Sequence, residues 1–319
     1  MVASIYRKYG SPEVLSVAEY PTPVCNSQDI LIKVKASTVN RTDCAMLTAK
    51  PFIMRFFTGL FKPKNQILGT DFAGEIVKIG DQITMFKVGD KVFGFHDSGL
   101  SSHAEYLKVS QDVPMLKMPS NCSYIQAAGL CEGAHYAYNF LNKIKIKKGH
   151  NIMVNGGTGA IGSAMIQILR SMGVKITATA RTEHLDRVKA LGANTVVDYT
   201  KENFTKSKDK FDFVFDVVGK STFGECKSLL NPKGIYISSE LGPYIQNIPL
   251  ALFTPLFGGR KVIFPLPSDI KKSLLHMKGM FEKGEFDVLI DREYKLTEIA
   301  DAFDYVLTGK KVGNVFITH

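Results

Sequence analysis

The stretch NGGTGAIG, residues 155–162, decides how this chain is read. It carries the spacing G-x-G-x-x-G at Gly157, Gly159 and Gly162, with Thr158, Ala160 and Ile161 between them. The pattern alone is weak. Here it follows a short apolar run, 151–154, that reads as a strand. It precedes residues 161–172, whose apolar residues recur at helical spacing. Strand, glycine turn and helix in that order make the phosphate-binding turn of a βαβ unit. The glycines let the chain turn tightly and let its backbone approach a pyrophosphate, while Gly162 lets helix and strand pack closely. The helix N-terminus presents unpaired N–H groups and a partial positive charge. A glycine-rich turn with no ligand is the bland alternative; the βαβ setting favours a dinucleotide.

Strand and helix signals continue to alternate on the C-terminal side. Residues 175–180 read as a strand, 183–191 as a helix, 211–217 as a strand, 223–230 as a helix and 234–239 as a strand. Strands separated by helices of this length imply right-handed crossovers and a parallel sheet. The first third of the chain has a different texture. Short alternating runs at 30–34, 72–79, 91–95 and 104–109 are broken by Gly69, Gly74, Gly80, Gly89 and Gly94, as in a β-rich domain with many turns. The change comes near Pro119, and 123–141 is helical in spacing. After Arg260 come a strand at 261–265, helices near 269–283 and 296–308, and a last strand at 313–318. The expected class is α/β: a β-rich domain over 1–121, a doubly wound parallel-sheet domain over 122–260, and a return segment, 261–319, completing the first domain.

Of the 319 residues, 45% are hydrophobic and 22% charged, which fits a globular chain and argues against long disorder. No apolar run approaches the roughly 20 residues of a membrane span. The start carries Arg7 and Lys8 but no apolar h-region, so no signal peptide is expected. The 5 cysteines, Cys25, Cys44, Cys122, Cys131 and Cys226, form no C-x-x-C pair. This argues against a disulfide framework and a four-cysteine zinc lobe, and a reducing cytoplasm is expected. The net charge of +10 admits nucleic acid, a membrane surface or a small anion as partner. Its two concentrations, Lys143, Lys145, Lys147 and Lys148 and then Lys206, Lys208 and Lys210, read as solvated surface. No nucleic-acid motif accompanies them, so no nucleic acid is expected.

The second strand of the βαβ unit ends in Thr179, Ala180, Arg181 and Thr182. An NAD-selective site usually places Asp or Glu there, on the ribose 2′-hydroxyl. Here Arg181 stands instead, followed by His184 and Arg187. A guanidinium matches a 2′-phosphate with two parallel hydrogen bonds. NADPH is therefore the expected cofactor, with Gly157, Thr158, Gly159, Ala160, Ile161, Thr179, Arg181 and His184 expected to touch it and Glu183 turning inward to select NADH as the alternative.

The ordered set of short motifs resembles the zinc-independent medium-chain dehydrogenase/reductases of the quinone oxidoreductase type. The set is YGSPEVL at 9–15, VNRTD at 39–43, GTDFAG at 69–74, GDKVFG at 89–94, the glycine turn, LGA at 191–193, FDVVG at 215–219 and the ending 309–317. The resemblance runs from end to end. It implies a GroES-like β-rich domain, a Rossmann domain, a nicotinamide cofactor in the cleft between them, and a homodimer. It also implies cofactor contacts from Tyr199, Val218, Gly219, Phe264 and Asn314.

Zinc-dependent relatives place Cys, His and Glu where this chain has Asn40, Thr70 and Asp71, with a further ligand near Cys131. Catalytic zinc takes three protein ligands, and one thiol does not hold it. The segment 97–103, where a structural zinc lobe would lie, has no cysteine. His96, His103 and His135 are better read as core or surface residues, and no zinc is expected. Without a Lewis acid, oxidation of an alcohol is hard, whereas an electron-poor quinone or α,β-unsaturated carbonyl accepts hydride with little help. A small apolar carbonyl or quinone is the expected substrate. Asn40 is the expected oxyanion donor, and Asp43 braces the loop or takes a direct part.

Residues 46–57 contain no tyrosine, unlike enoyl-thioester reductases of this superfamily, and Tyr136 and Tyr138 are alternative donors. The apolar stretch 51–61 reads as a pocket wall or lid, as core, or as a membrane-facing loop. A second apolar stretch, 248–257, reads as a cleft closure or a dimer contact. The competing functions are an enoyl-thioester or alcohol/aldehyde oxidoreductase and a non-catalytic NADPH-sensing or RNA-binding protein.

Overall fold

The computed structural model describes residues 1–266 and 269–319. Two compact units form, Met1–His135 with Asp269–His319, and Tyr136–Ser268.

In chain order the first unit opens with strands β1 (Val2–Ile5), β2 (Ser16–Glu19) and β3 (Asp29–Thr38), then helices α1 (Arg41–Thr48) and α2 (Met54–Thr58). Strands β4 (Asp71–Ile79), β5 (Lys91–Phe95), β6 (Tyr106–Ser110) and β7 (Met115–Lys117) follow, then helices α3 (Tyr124–Gly129) and α4 (Glu132–Asn142). The second unit runs β8 (Asn151–Asn155), α5 (Ala160–Ser171), β9 (Lys175–Ala180), α6 (Leu185–Leu191), β10 (Thr195–Asp198) and β11 (Phe211–Asp216). It ends with α7 (Phe223–Cys226), β12 (Leu230–Ser238), α8 (Asn247–Phe253) and β13 (Lys261–Ile263). The chain then returns as α9 (Ile270–Glu282), β14 (Ile290–Lys295), α10 (Ile299–Leu307) and β15 (Asn314–Thr318).

The first unit is built on a 7-stranded sheet in the order β14-β15-β3-β4-β5-β7, with β6 paired to β3. Alternation decides its core. Ile30, Ile32 and Val34 of β3 all face one cluster with Phe72, Ile76, Val92, Leu107 and Val109. A second cluster joins α1 and α10 to the sheet's other end through Leu47, Phe303, Val315 and Ile317.

The second unit is a 6-stranded sheet in the order β10-β9-β8-β11-β12-β13, every pair of which is parallel. The strand order reverses on either side of β8. In such sheets ligands bind beyond the carboxyl ends of the strands at that switch point.

The chain divides later than the expected boundaries. Residues 122–135 belong with the first unit because α3 packs there: a Cβ on Gly129 would lie 2.3 Å from Val288 and 3.2 Å from Phe316. Residues 261–263 belong with the second because β13 pairs in parallel with β12. The periodicity reading had no strand at β10, which is 4 residues long, or at β14, whose sequence IDREYK is mostly polar.

Candidate active site

The glycine turn lies at the carboxyl end of β8, where Asn155, Thr179 and Asp216 meet. The Thr179 hydroxyl donates to Asn155 Oδ1 at 2.8 Å and accepts from the Gly156 N–H at 2.9 Å. Asn155 Nδ2 donates to Asp216 Oδ1 at 3.2 Å. Thr179, expected to touch the cofactor, is thus a buried brace that pins the turn from below.

The glycines divide the work differently from the motif's usual account. The left-handed turn is made by Gly156, with φ 100°, one residue before the G-x-G-x-x-G spacing begins. Gly157 is a packing position, where a Cβ would sit 3.1 Å from Val188 and 3.2 Å from Ala178. Gly162 lets α5 descend onto the turn: a Cβ there would lie 2.0 Å from the Gly156 carbonyl oxygen. Gly159 caps α5 without a side-chain hydrogen bond, and a Cβ there would come no closer than 3.8 Å to anything. The first-turn N–H groups of Ala160 and Ile161 have no intrahelical partner, and the Gly159 position before them is open. This is the cradle a pyrophosphate needs.

At the carboxyl ends of β9 and β10, Arg181 and Tyr199 are exposed, and Arg181 Nε donates to Tyr199 Oη at 3.1 Å. The Glu183 carboxylate lies 3.6 Å from the Arg181 guanidinium and 3.9 Å from His184 Nε2. Glu183 is itself exposed and pairs with the Arg181 guanidinium. The acid at the end of β10, Asp198, accepts from Thr182 and Thr200 hydroxyls at 2.5 and 2.6 Å. Those bonds pull its carboxyl down to about 2.

Next along the sheet, Asp216 gathers the loop that follows β11. It accepts from the N–H groups of Val218, Gly219, Lys220 and Ser221, and from the Ser221 and Tyr236 hydroxyls. Gly219 adopts φ 66° in that loop, and Val218 packs on Gly156. Phe264, half-buried, follows β13 at the same edge. The sheet thus brings Gly157, Thr158, Gly159, Ala160, Ile161, Arg181, His184, Tyr199, Val218, Gly219 and Phe264 to one rim. Asn314 lies on β15 of the first unit, where its Nδ2 donates to the Leu289 carbonyl at 3.3 Å.

The first unit holds a buried polar cluster where β3, α1, β4 and α4 meet. Glu132, the first residue of α4, accepts from Thr70 Oγ1 at 2.5 Å, Thr42 Oγ1 at 2.6 Å and Asn40 Nδ2 at 3.2 Å. Asp71 accepts from the Thr38 N–H at 2.7 Å and the Thr38 hydroxyl at 2.5 Å. Asp43 accepts from the Asn40 N–H at 2.8 Å, which closes the start of α1. Lys311 Nζ donates to Asn40 Oδ1 at 3.1 Å.

Burial dominates the electrostatics. It pushes Asp71 up to about 7, with Glu132 adding to the rise and Thr38 opposing it. It also raises Asp43, again helped by Glu132, and lowers the Lys311 ammonium against the pull of the surrounding acids.

Asn40 was expected to offer a free amide donor. Instead its amide hydrogens are directed to Glu132 Oε2 and to Thr38 Oγ1, the latter at 2.5 Å. Sequence reading passed over Glu132 and Lys311. Glu132 looks like an ordinary first-turn acid of a helix, and Lys311 one more cation in a basic tail. Only the placement of β15 beside β3 brings Lys311 to Asn40.

His103 and His135 are buried core residues. His103 Nε2 lies 3.0 Å from the Thr38 carbonyl, and its ring meets Phe303 edge-on. Burial drops it to about 4. His135 Nδ1 meets the Ser273 hydroxyl at 2.6 Å. The apolar stretch 51–61 is not core: Phe52, Phe56, Phe57 and Phe61 are exposed, and Arg55 lies over the Tyr9 ring at 4.8 Å. Leu252, Phe253, Leu256 and Phe257 are exposed in the second unit. Among the described residues, no helix is long and apolar enough to cross a membrane.

Two family matches cover most of the chain: the alcohol dehydrogenase GroES-like domain over residues 26–141 and the zinc-binding dehydrogenase family over 191–317. Among curated relatives, the chain is 33% identical to a 2-methylene-furan-3-one reductase of Solanum lycopersicum, over 99% of this chain and 79% of that protein. It is 30% identical to a chloroplastic NADPH-dependent alkenal/one oxidoreductase of Arabidopsis thaliana, with the same coverage of 99% and 79%. Its fold superposes on a quinone oxidoreductase of Coxiella burnetii with a TM-score of 0.87 at 25% identity, covering 100% of this chain and 99% of that one.

Zinc does not fit the residues present, despite the name of the second family. Among the described residues, no group of three or more His, Cys, Asp and Glu side chains is placed to hold a metal ion. Glu132 and Asp71 are committed to Thr, Asn and backbone donors, an ammonium hydrogen-bonds the Asn40 amide, and burial holds the Cys131 thiol protonated. The order of motifs, the parallel sheet with its glycine turn and the GroES-like unit agree on one conclusion: the chain belongs to the medium-chain dehydrogenase/reductase family, is quinone oxidoreductase-like, and is an oxidoreductase.

Proposed function

We propose that this protein is an NADPH-dependent reductase that delivers hydride to a quinone or an α,β-unsaturated carbonyl without a metal. The observation that carries the reading is the rim of the parallel sheet. Its glycine cradle is open at Gly159. At the second strand's end it presents an exposed arginine, while the nearest acid, Glu183, faces solvent between Arg181 and His184. NADPH when bound supplies the hydride. The Ala160 and Ile161 N–H groups and the α5 dipole hold its pyrophosphate. Arg181, with Tyr199 beside it and His184 nearby, holds the 2′-phosphate, and the Asp216 loop orders Val218 and Gly219 along the same rim.

On the acceptor side, the chain lacks the donor set that would hold a Lewis acid. An acceptor already activated by conjugation matches that deficit. The names of the tomato and Arabidopsis relatives, a furanone reductase and an alkenal/one oxidoreductase, support the same acceptor class. The proposal includes a homodimer, supported by the apolar surface at Leu252, Phe253, Leu256 and Phe257. It also includes a reducing, cytoplasmic setting, supported by the free cysteines Cys25, Cys44, Cys122, Cys131 and Cys226.

The test is oxidation of NADPH and NADH, followed by absorbance with EDTA present. The acceptors are an ortho-quinone, a para-quinone, a simple enone, an aldehyde and an enoyl thioester. Turnover of quinone or enone with NADPH preferred is the expected result. Aldehyde or thioester as the sole acceptor overturns it. Arg181→Glu should raise the NADPH dissociation constant by about 10-fold or more and leave NADH nearly unchanged, since a charge-assisted phosphate contact contributes about 1.5–3 kcal/mol. Equal effects on both cofactors remove Arg181 from the phosphate site.

A further inference from the structure

Residues 52–61 of the first unit carry apolar side chains that the fold leaves in water. Phe52, Ile53, Phe56, Phe57, Leu60 and Phe61 are exposed, Phe57 to 72% and Phe61 to 87%. Single exposed apolar side chains are ordinary; a run of them makes a patch, and patches mark interaction surfaces. The backbone beneath the patch is held. Helix α2 spends two side chains, at i and i+4, on the body of the unit. Met54 packs on the cluster that joins α1 and α10, and the Thr58 hydroxyl lies 2.8 Å from the Tyr9 hydroxyl. Tyr9 Oη also donates to the Gly59 carbonyl at 2.6 Å. Arg55 folds over the Tyr9 ring and donates to the Leu60 carbonyl at 3.2 Å. Gly59, at φ 128°, makes the turn that follows, where a Cβ would lie 2.1 Å from the Lys62 carbonyl oxygen. The Lys64 N–H then closes on the Thr58 carbonyl at 2.8 Å.

Charge selects the partner. Lys50, Arg55, Lys62 and Lys64 lie in or beside the patch, and no Asp or Glu occurs between Asp43 and Asp71. Lys50, Lys62 and Lys64 are exposed, as are Arg7 and Lys8 just before Tyr9. A second copy of this chain would bring the same cations face to face, which disfavours a self-contact. The exposed side chains between the cations are hydrocarbon, so they offer a protein partner no hydrogen bond. A bilayer surface needs neither a shape match nor hydrogen bonds: its anionic headgroups take the ammonium groups, and the acyl boundary takes the phenyl rings. We propose that residues 52–61 are an interfacial anchor that seats this protein on an anionic lipid surface. Phe56, Phe57 and Phe61 enter the acyl boundary, and Lys50, Lys62 and Lys64 rest among the lipid phosphates. Tyr9 and Arg55 hold the segment in shape beforehand, so docking costs little conformational freedom. Docking of this kind stands apart from the reductase chemistry and needs no cofactor.

Sedimentation of the whole chain with sucrose-loaded vesicles tests this, using phosphatidylcholine alone and a three-to-one mixture of phosphatidylcholine and phosphatidylserine. The wild type should pellet with the mixed vesicles and stay in solution with phosphatidylcholine. Phe57→Ser combined with Phe61→Ser should lower the partition coefficient on mixed vesicles about 10-fold or more, and Lys62→Glu combined with Lys64→Glu should do the same. All four side chains are exposed, so melting temperature should hold within about 2 °C. No pelleting with mixed vesicles, equal pelleting with both compositions, or equal binding by the wild type and the serine variant overturns the proposal. Self-association without vesicles that the serine variant abolishes makes the patch a contact between copies and overturns it as well.

A second readout reports on the anchor directly. The chain contains no tryptophan, so Phe61→Trp places a single indole in the patch. On mixed vesicles its emission should move to shorter wavelength and be quenched by brominated acyl chains. Emission that the vesicles leave unchanged overturns the insertion of these residues into lipid.

Discussion

The alanine pair Gly162→Ala and Gly159→Ala separates what the glycine turn does for the fold from what it does for the ligand. At position 162 the new methyl would lie 2.0 Å from the Gly156 carbonyl oxygen, well inside the 3.0 Å that real Cβ atoms keep. The oxygen must therefore withdraw by about 1 Å, an overpacking that typically costs about 1–3 kcal/mol. Retreat is obstructed. The Gly156 N–H is bound to Thr179, and Val218 packs on its α-carbon. The cost belongs at the upper end, about 3 kcal/mol, which for a chain of this size lowers Tm by about 4–5 °C. At position 159, φ is −70° and nothing lies within 3.8 Å of the added carbon. The fold should not notice, and Tm should stay within about 1 °C. That carbon nonetheless stands in the space a pyrophosphate needs, so the NADPH dissociation constant should rise about 10-fold or more, a loss of about 1.4 kcal/mol. The assays are thermal unfolding of the unliganded protein and fluorescence titration with NADPH. Wild-type affinity in Gly159→Ala would refute the claim that phosphate passes over this turn. An unchanged Tm in Gly162→Ala would refute the packing argument.

Other consequences are open to measurement. Asp216→Asn places an NH2 against the N–H groups of the 218–221 loop. With buried donors left unpaired at about 1–3 kcal/mol each, denaturation should show a loss of about 3 kcal/mol or more together with weaker NADPH binding; wild-type stability would contradict the loop's assigned anchor. The Asp71 carboxyl, raised from 3.8 to about 7, holds its proton more tightly folded than unfolded. Its contribution is complete below pH about 4 and lost as pH rises to about 7, so Asp71→Asn should flatten the fall in stability over that window by up to about 4 kcal/mol. An unchanged slope in urea titrations across the range would count against this. Elemental analysis of the purified protein should find no stoichiometric zinc, and activity should survive EDTA; one zinc per chain would overturn the donor argument.

Much of the fold was legible because it is written in local patterns. Period-2 alternation marked β3, β4 and β5, and the strand–glycine–helix order marked the dinucleotide turn, since both depend on neighbours in sequence. The short β10, the polar β14 and the packing of residues 122–135 with the first unit were not legible. β10 and β14 take their strand character from partners, and Gly129 and residues 261–263 show their allegiance only through what they touch.

The candidate site divides the same way. The sequence by itself determined that Arg181 ends the second strand of the parallel sheet and that Gly157, Gly159 and Gly162 stand in the turn between its first strand and the helix that follows. These follow from residue type and spacing. Only the tertiary structure decided that Gly156 makes the left-handed turn, that Thr179 braces it, and that Asn40 spends its amide on Thr38 and Glu132. It alone brought Lys311, 271 positions along the chain, to within 3.1 Å of Asn40. A hydrogen bond between residues so far apart leaves no periodic trace, because it is fixed by the antiparallel pairing of β15 with β3.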